Sequence, residues 1–245
     1  MSSDPTGIPW WTPEFGIPAL RNNFQNHGLV LLKGFRTSQH FSETLGALGQ
    51  VYLHPHASPD GLTHLISESN PTEPTRAADS NLLGMTESAL TPHTDRSGID
   101  DPPQLLGFWI ESQSSVGGAS TFVDGHRLIE ELSAHDPDSI RVLTRPRSVI
   151  FKSENGLMEG QILYLDDKKF TLRFRFDRMV YFAPDVAALV PRLHTLIRDQ
   201  AKRARLAAGE GYLLDNHRWL HGRTHFSGKR SCYRILLRSE EQRAR

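Results

Sequence analysis

The residues able to do chemistry stand in two short stretches far apart in the chain. Thr91-Pro92-His93-Thr94-Asp95 sets an imidazole and a carboxylate two residues apart, so on an extended backbone both side chains leave the same face. Far downstream, His221 lies inside residues 213–234, a run that reads as paired strands and also carries several arginines. Two imidazoles and one carboxylate suit one face of a metal octahedron. Three positions stay open for other ligands, the donor arrangement of non-haem iron(II) sites that must admit oxygen and a second ligand together. Zinc with one open position takes the same donors. With 12 histidines in the chain, a His-x-Asp spacing alone selects little.

Three further motifs accompany this pair. Gly117-Gly118-Ala119-Ser120-Thr121-Phe122-Val123-Asp124-Gly125 comes first. Asp215-Asn216-His217-Arg218-Trp219-Leu220-His221-Gly222-Arg223 follows, and then Arg230 and Arg234. In these motifs, in this order and over most of its length, the sequence resembles the taurine dioxygenase, γ-butyrobetaine hydroxylase and clavaminate synthase group of iron(II)/2-oxoglutarate-dependent oxygenases.

That resemblance implies that His93, Asp95 and His221 bind Fe(II) and that 2-oxoglutarate chelates the metal through its C1 carboxylate and keto oxygen. The distal C5 carboxylate then needs a buried cation. An arginine meets it bidentately and keeps its charge on burial. Arg230 and Arg234, four apart on a strand and so on one face, fit the family's arginine pair. Arg230 is assigned to the C5 carboxylate and Arg234 to the C1 end or the substrate. The interval from His221 to Arg230 is shorter than usual in the family, so the roles are exchangeable, and Arg238 is a third candidate. Ser120 stands where the family has threonine, with Thr121 beside it, and either hydroxyl could face the cosubstrate.

The implied reaction uses O2 and 2-oxoglutarate, releases succinate and CO2, and hydroxylates an unactivated C–H bond. The same oxidant also drives desaturation or cyclisation. Asp95 argues against halogenation, which needs that carboxylate's position for chloride. Two readings of other classes compete, a non-catalytic metal-binding jelly-roll protein and a zinc hydrolase. Neither gives the arginine pair and the Gly-Gly-Ala-Ser run a shared task.

The elements that must position these residues are short strands punctuated by Gly and Pro, with helices at the ends. The pattern fits a mainly β fold with flanking helices, and with the resemblance it gives a double-stranded β-helix, the jelly-roll, cupin-like barrel. Residues 18–27 read as a helix ended by Gly28, residues 29–32 as an apolar strand, and residues 41–48 as a helix capped by Ser38. These first 50 residues form a helix–strand–helix cover, and residues 51–90, rich in Pro, Ser, Thr and Asn, read as a lid. His54, His56 and His64 lie there without a carboxylate or cysteine at ligand spacing, which argues against a second metal site. Residues 105–111 form a buried strand, 120–123 another, and Asp124 caps a helix over 126–132. Residues 170–176 alternate, with Phe170, Leu172, Phe174 and Phe176 on one face and Arg173 and Arg175 on the other. Residues 185–208 make the longest helix, ended by Gly209, with His194 on its surface. Residues 212–214 form the strand leading to His221.

At 245 residues and 38% hydrophobic content the chain can bury one core, and a single domain over 1–245 is expected. Lys plus Arg and Asp plus Glu are equal at 28 each, so no basic stripe calls for nucleic acid. No apolar run suffices to span a bilayer, and no leader pattern opens the chain. The single cysteine, Cys232, reads as a packed small side chain. A cytoplasmic, soluble, unprocessed protein is the expectation. The expected partner is a small molecule, free or tethered to a carrier. Arg175 and Arg173, with Asp100 and Asp101, suggest that it is amino-acid-like or carboxylate-bearing. Oligomeric state is not legible.

Overall fold

The computed structural model describes residues 6–67, 84–166 and 169–240. Its larger sheet runs, in order, Trp10–Trp11, Leu29–Lys33, Glu210–Asp215, Leu105–Ser112, Arg230–Arg238 and Gln50–Val51, and Leu62–Ser67 also pairs with Arg230–Arg238. The smaller sheet runs Lys202–Ala204, Ser120–Asp124, Trp219–Arg223 and Leu90–His93. This is the double-stranded β-helix. The two sheets close on a core of Leu29, Leu31, Leu106, Phe108, Ile110, Tyr212, Leu214, Cys232 and Leu236 from one and Phe122, Ala204 and Trp219 from the other.

The unbroken apolar run Leu29-Val30-Leu31-Leu32 follows from burial on both faces of the larger sheet. Leu29 and Leu31 point into the barrel, while Val30 and Leu32 point outward, against Leu20 of the Gly16–His27 helix and Phe41 and Leu45 of the Ser38–Gly46 helix. The N-terminal helices thus sheathe the larger sheet, and the strand between them is one of its members. The smaller sheet's outer face, through Val123 and Leu220, packs on the helices Gly125–His135, Pro137–Leu143 and Pro184–Gln200.

Several boundaries differ from the sequence reading. Thr37, whose side chain accepts from the His40 N–H, caps the second helix one residue before Ser38. The long helix stops at Gln200 rather than near residue 208, because Lys202–Ala204 leaves it to pair with Ser120–Phe122 at the open edge of the smaller sheet. Residues 51–90 are not all loop, since Leu62–Ser67 pairs residue for residue with Arg230–Ile235. Residues 68–83 of the expected lid lie outside the described residues. His194 is half-buried against Phe176 and not free on the surface. Cys232 is a buried free thiol, and burial pushes it up to about 11, as suits a packed side chain. Among the described residues no helix is long and apolar enough to cross a membrane.

Candidate metal centre and its cavity

Leu90–His93 is the edge strand of the smaller sheet and pairs antiparallel with Trp219–Arg223, which Ser120–Asp124 flanks on its other side. His93 stands directly opposite His221, so the two rings share a face, with centroids 4.7 Å apart. The register slips between the pair His221 and His93 and the pair Arg223 and Leu90. Pro92, which has no N–H to give, occupies the irregular stretch, as proline does on edge strands. Gly222 lets the strands come this close: a Cβ there would collide with the Leu90 carbonyl oxygen and sit 3.0 Å from the Pro92 nitrogen.

Asp95 lies two residues past the strand end, not on it as the spacing argument assumed. Side chains hold it instead. Its backbone N–H donates to Asn216 Oδ1 at 2.7 Å, and Arg96, at φ 59°, turns the chain immediately after it. Asp95 Oδ1 comes within 3.4 Å of His93 Nε2 and 3.6 Å of His221 Nε2. The donor atoms of the three residues all lie within 4.8 Å of one another. The second carboxylate oxygen accepts from Arg234 Nη1 at 2.7 Å. His93 Nδ1 lies 2.9 Å from the Thr91 carbonyl, which can only accept, so that nitrogen carries the proton and Nε2 presents its lone pair.

Electrostatics keep the set ready for a cation. Burial lowers His221 to about 3, with His93 and Arg234 pushing the same way against Asp95, so at neutral pH it is an uncharged donor. Burial alone would raise the Asp95 carboxyl. Arg234, the His93 contact and the two imidazoles outweigh it and hold Asp95 well below the ordinary carboxylate value. Two imidazole nitrogens and one ionised carboxylate oxygen beside a cavity fit a facially bound divalent iron.

Ser120, Phe108, Tyr212, Arg223, Arg230 and Arg234 line that cavity beside the triad. Arg230 is 4% exposed, lies over the Phe108 and Phe226 rings at 5.5 and 5.6 Å, and donates through Nε to Gln113 Oε1 at 3.2 Å. No carboxylate among the described residues pairs with it. Arg223, which the sequence reading quoted without a role, is also buried and lies over the same Phe226 ring at 4.6 Å. It donates to the carbonyls of Gly84, Thr86 and Ser88, fixing the segment that leads into the metal strand. Burial, aided by Arg230, lowers it to about 10, so it stays charged at neutral pH. Its place two residues after His221 was the available signal, because alternate strand residues share a face. Ser120 stands opposite Arg223 and faces the cavity, whereas Thr121, opposite Gly222, does not line it.

His54, His56, Arg96, Lys152, Glu154, Arg175 and Asp177 line the same cavity and include its more exposed residues, here called the mouth. Arg175 is there, but Asp177 already holds it bidentately, Nε at 2.9 Å and Nη2 at 2.5 Å. Arg173 is a correction: it points away, donating to the Asp100 carbonyl and lying over the Tyr164 ring. The alternation fails because the strand ends at Leu172, after which Arg173 N–H bonds Ile162 and Phe174 N–H bonds Thr94 Oγ1, a new partner at each residue. Asp100 and Asp101 do not line the cavity either, and Arg238 pairs with Asp101 at 3.4 Å instead of lining it. His54 and His56 sit on the mouth, while His64 stacks on Tyr233, so the three do not converge. Burial, then Arg234 and Arg96, lowers His54 to about 4.

A jelly roll carrying a His/Asp/His centre beside a buried guanidinium that no carboxylate among the described residues pairs with defines the class. The chain belongs to the taurine catabolism dioxygenase TauD, TfdA family, whose model matches residues 5–239. It is similar to human (Homo sapiens) γ-butyrobetaine dioxygenase, 26% identical over 175 residues that cover 64% of this chain and 45% of that protein. The match therefore spans less than half of that relative's length. Among solved structures, the fold is shared with an asparagine oxygenase in complex with Fe(II), 2S,3S-3-hydroxyasparagine and succinate (TM-score 0.70, 14% identity, 93% of this chain and 82% of that one). It is also shared with PvcB of Pseudomonas aeruginosa (TM-score 0.68, 18% identity, 96% and 84%).

Proposed function

We propose that this chain is an Fe(II)- and 2-oxoglutarate-dependent dioxygenase that hydroxylates an unactivated C–H bond of a small, amino-acid-like or carboxylate-bearing substrate. The observation that carries the reading is the buried Arg230 guanidinium, which has no carboxylate partner among the described residues and lines the same cavity as His93, Asp95 and His221. A buried cation with no anion is costly to hold. A dicarboxylate with one end on the metal and the other on Arg230 supplies the missing charge and the bidentate match.

Bound iron, with 2-oxoglutarate and O2, would supply the oxidising power by coupling cosubstrate decarboxylation to succinate and CO2. The chain's own residues bind, orient and exclude water. His93, Asp95 and His221 would hold the metal. Arg234 bonds the second Asp95 oxygen, so that carboxylate would offer a metal its other oxygen. Ser120 and Arg230 would grip the C5 carboxylate. Phe108, Phe226 and Tyr212 make that end apolar, so the charge–charge contact acts outside bulk water. The mouth, with Arg175, is where the substrate would enter. A zinc hydrolase or a non-catalytic binding protein leaves Arg230 without a task.

Mixing the protein anaerobically with Fe(II) and 2-oxoglutarate should give a visible charge-transfer band, absent in His93→Ala. Admitting air with a panel of amino acids and related acids should yield succinate in step with substrate consumed. A protein that forms no band and consumes no 2-oxoglutarate is not this enzyme.

A further inference from the structure

We propose that Asn216 is a positioning residue for the metal carboxylate, setting where Asp95 stands relative to the two histidines. The inference rests on the metal-centre reading above and adds a residue to it. The two imidazoles are placed by a strand pair, the sturdiest device in the fold. Asp95 has no such support, since Leu90–His93 ends before it. Its backbone groups bond the Asn216 side chain: Asp95 N–H donates to Oδ1 at 2.7 Å, and Nδ2 donates back to the Asp95 carbonyl at 3.0 Å. The same Nδ2 donates to the Pro103 carbonyl at 2.9 Å. One amide thus spans both ends of the turn that carries the ligand.

Asn216 is itself fixed. It is 1% exposed, and its own N–H donates to the Gln104 carbonyl at 2.7 Å. It lies in the loop between Glu210–Asp215 and Trp219–Arg223, the strand that carries His221. The amide therefore relays the position of the distal-histidine strand to the proximal carboxylate across a sequence gap of well over a hundred residues. Only an amide does this at one position, because it offers an acceptor to the N–H and donors to two carbonyls in one plane. Thr94, on the other side of the turn, is held through Phe174 instead. That bond limits the turn's slide without choosing the height of Asp95.

Co(II), whose visible absorption reports its coordination, is the probe. In Asn216→Ala the Asp95 N–H loses its acceptor, and Co(II) affinity should fall roughly 10- to 100-fold, the usual effect of removing a group that orients a ligand. The Co(II) spectrum should change shape as well. Ser139→Ala removes a different buried polar side chain, a hydroxyl of the Pro137–Leu143 helix that donates to the Asp136 carbonyl away from the site, and should lower the melting temperature with affinity and spectrum unchanged. Should Asn216→Ala not fold, Asn216→Ser carries the same comparison, since a hydroxyl cannot span both ends of the turn. Wild-type affinity and spectrum in the folded Asn216 variant overturn the proposal alone. A wild-type protein that takes up no Co(II) overturns the oxygenase reading with it.

Discussion

The two ends of the cavity are built by different means. At the end proposed to take the cosubstrate, Ser120, Phe108, Arg223 and Arg230 stand on strands with neighbours on both sides or at the heart of the larger sheet, and all are buried. At the mouth Arg96, Lys152, Glu154, Arg175 and Asp177 come from turns and the end of the Val149–Ser153 strand, and two ion pairs, Arg96 with Glu154 and Arg175 with Asp177, tie four of them together. A rigid sheet suits the part of the reaction that never varies. Turns suit the part that sets which substrate enters. The difference teaches that residue exchanges should act on cosubstrate and substrate separately.

Arg230→Leu should produce the largest effect at the cosubstrate end. Losing a buried bidentate charge pair costs about 3 kcal/mol, on the order of 100-fold in 2-oxoglutarate affinity. Titration of the Fe(II) protein measures it, and Arg230→Lys should recover only part, because an ammonium lacks the planar fork. An unaltered affinity would put the C5 carboxylate on Arg234 or Arg223 and dissolve the contrast. Ser120→Ala should weaken the same affinity by about 5- to 10-fold, one hydrogen bond's worth, whereas Thr121→Ala should not. The reverse order would mean that the sheet face has been read wrongly.

At the mouth, Arg175→Leu should raise substrate KM by a few-fold, on the order of 1 kcal/mol, with 2-oxoglutarate affinity unchanged. The effect is smaller because Asp177 already satisfies much of the guanidinium. A change in cosubstrate affinity here would erase the division. The smallest effect is on pH dependence. Because His221 and His54 are depressed to about 3 and about 4, the unfolded chain binds more protons than the folded metal-free protein from about pH 6.5 downward. Stability present above that range should therefore decline on acidification toward pH 4. Thermal melts of His54→Gln should show a shallower decline than wild type.

How much was legible beforehand divides along the same line. His93, Asp95 and His221 could be named because the motifs around them, in their order along the chain, resemble a known family, and the apolar runs at residues 29–32 and 105–111 announced strands. Arg173 could not be placed, because alternation predicts a face only while a strand keeps one partner, and that chain changes partner at each residue past Leu172. The long helix was overextended because residues 202–204 have adequate helical propensity, and only the vacant edge beside Ser120–Phe122 draws them into a sheet. Asn216 was visible as a letter in a motif, but its three bonds reach residues 95 and 103, a relation that no local pattern encodes.

The absent side chain at Gly222 carries a consequence for reading related sequences. Any methyl group at that point would wedge the two histidine-bearing strands apart, because the Leu90 carbonyl and the Pro92 nitrogen already fill the space. A descendant could therefore retain all three donor residues letter for letter and still have lost its iron. Inventories of this kind of protein that check the donors and skip the residue after the second histidine would count such silent casualties as enzymes.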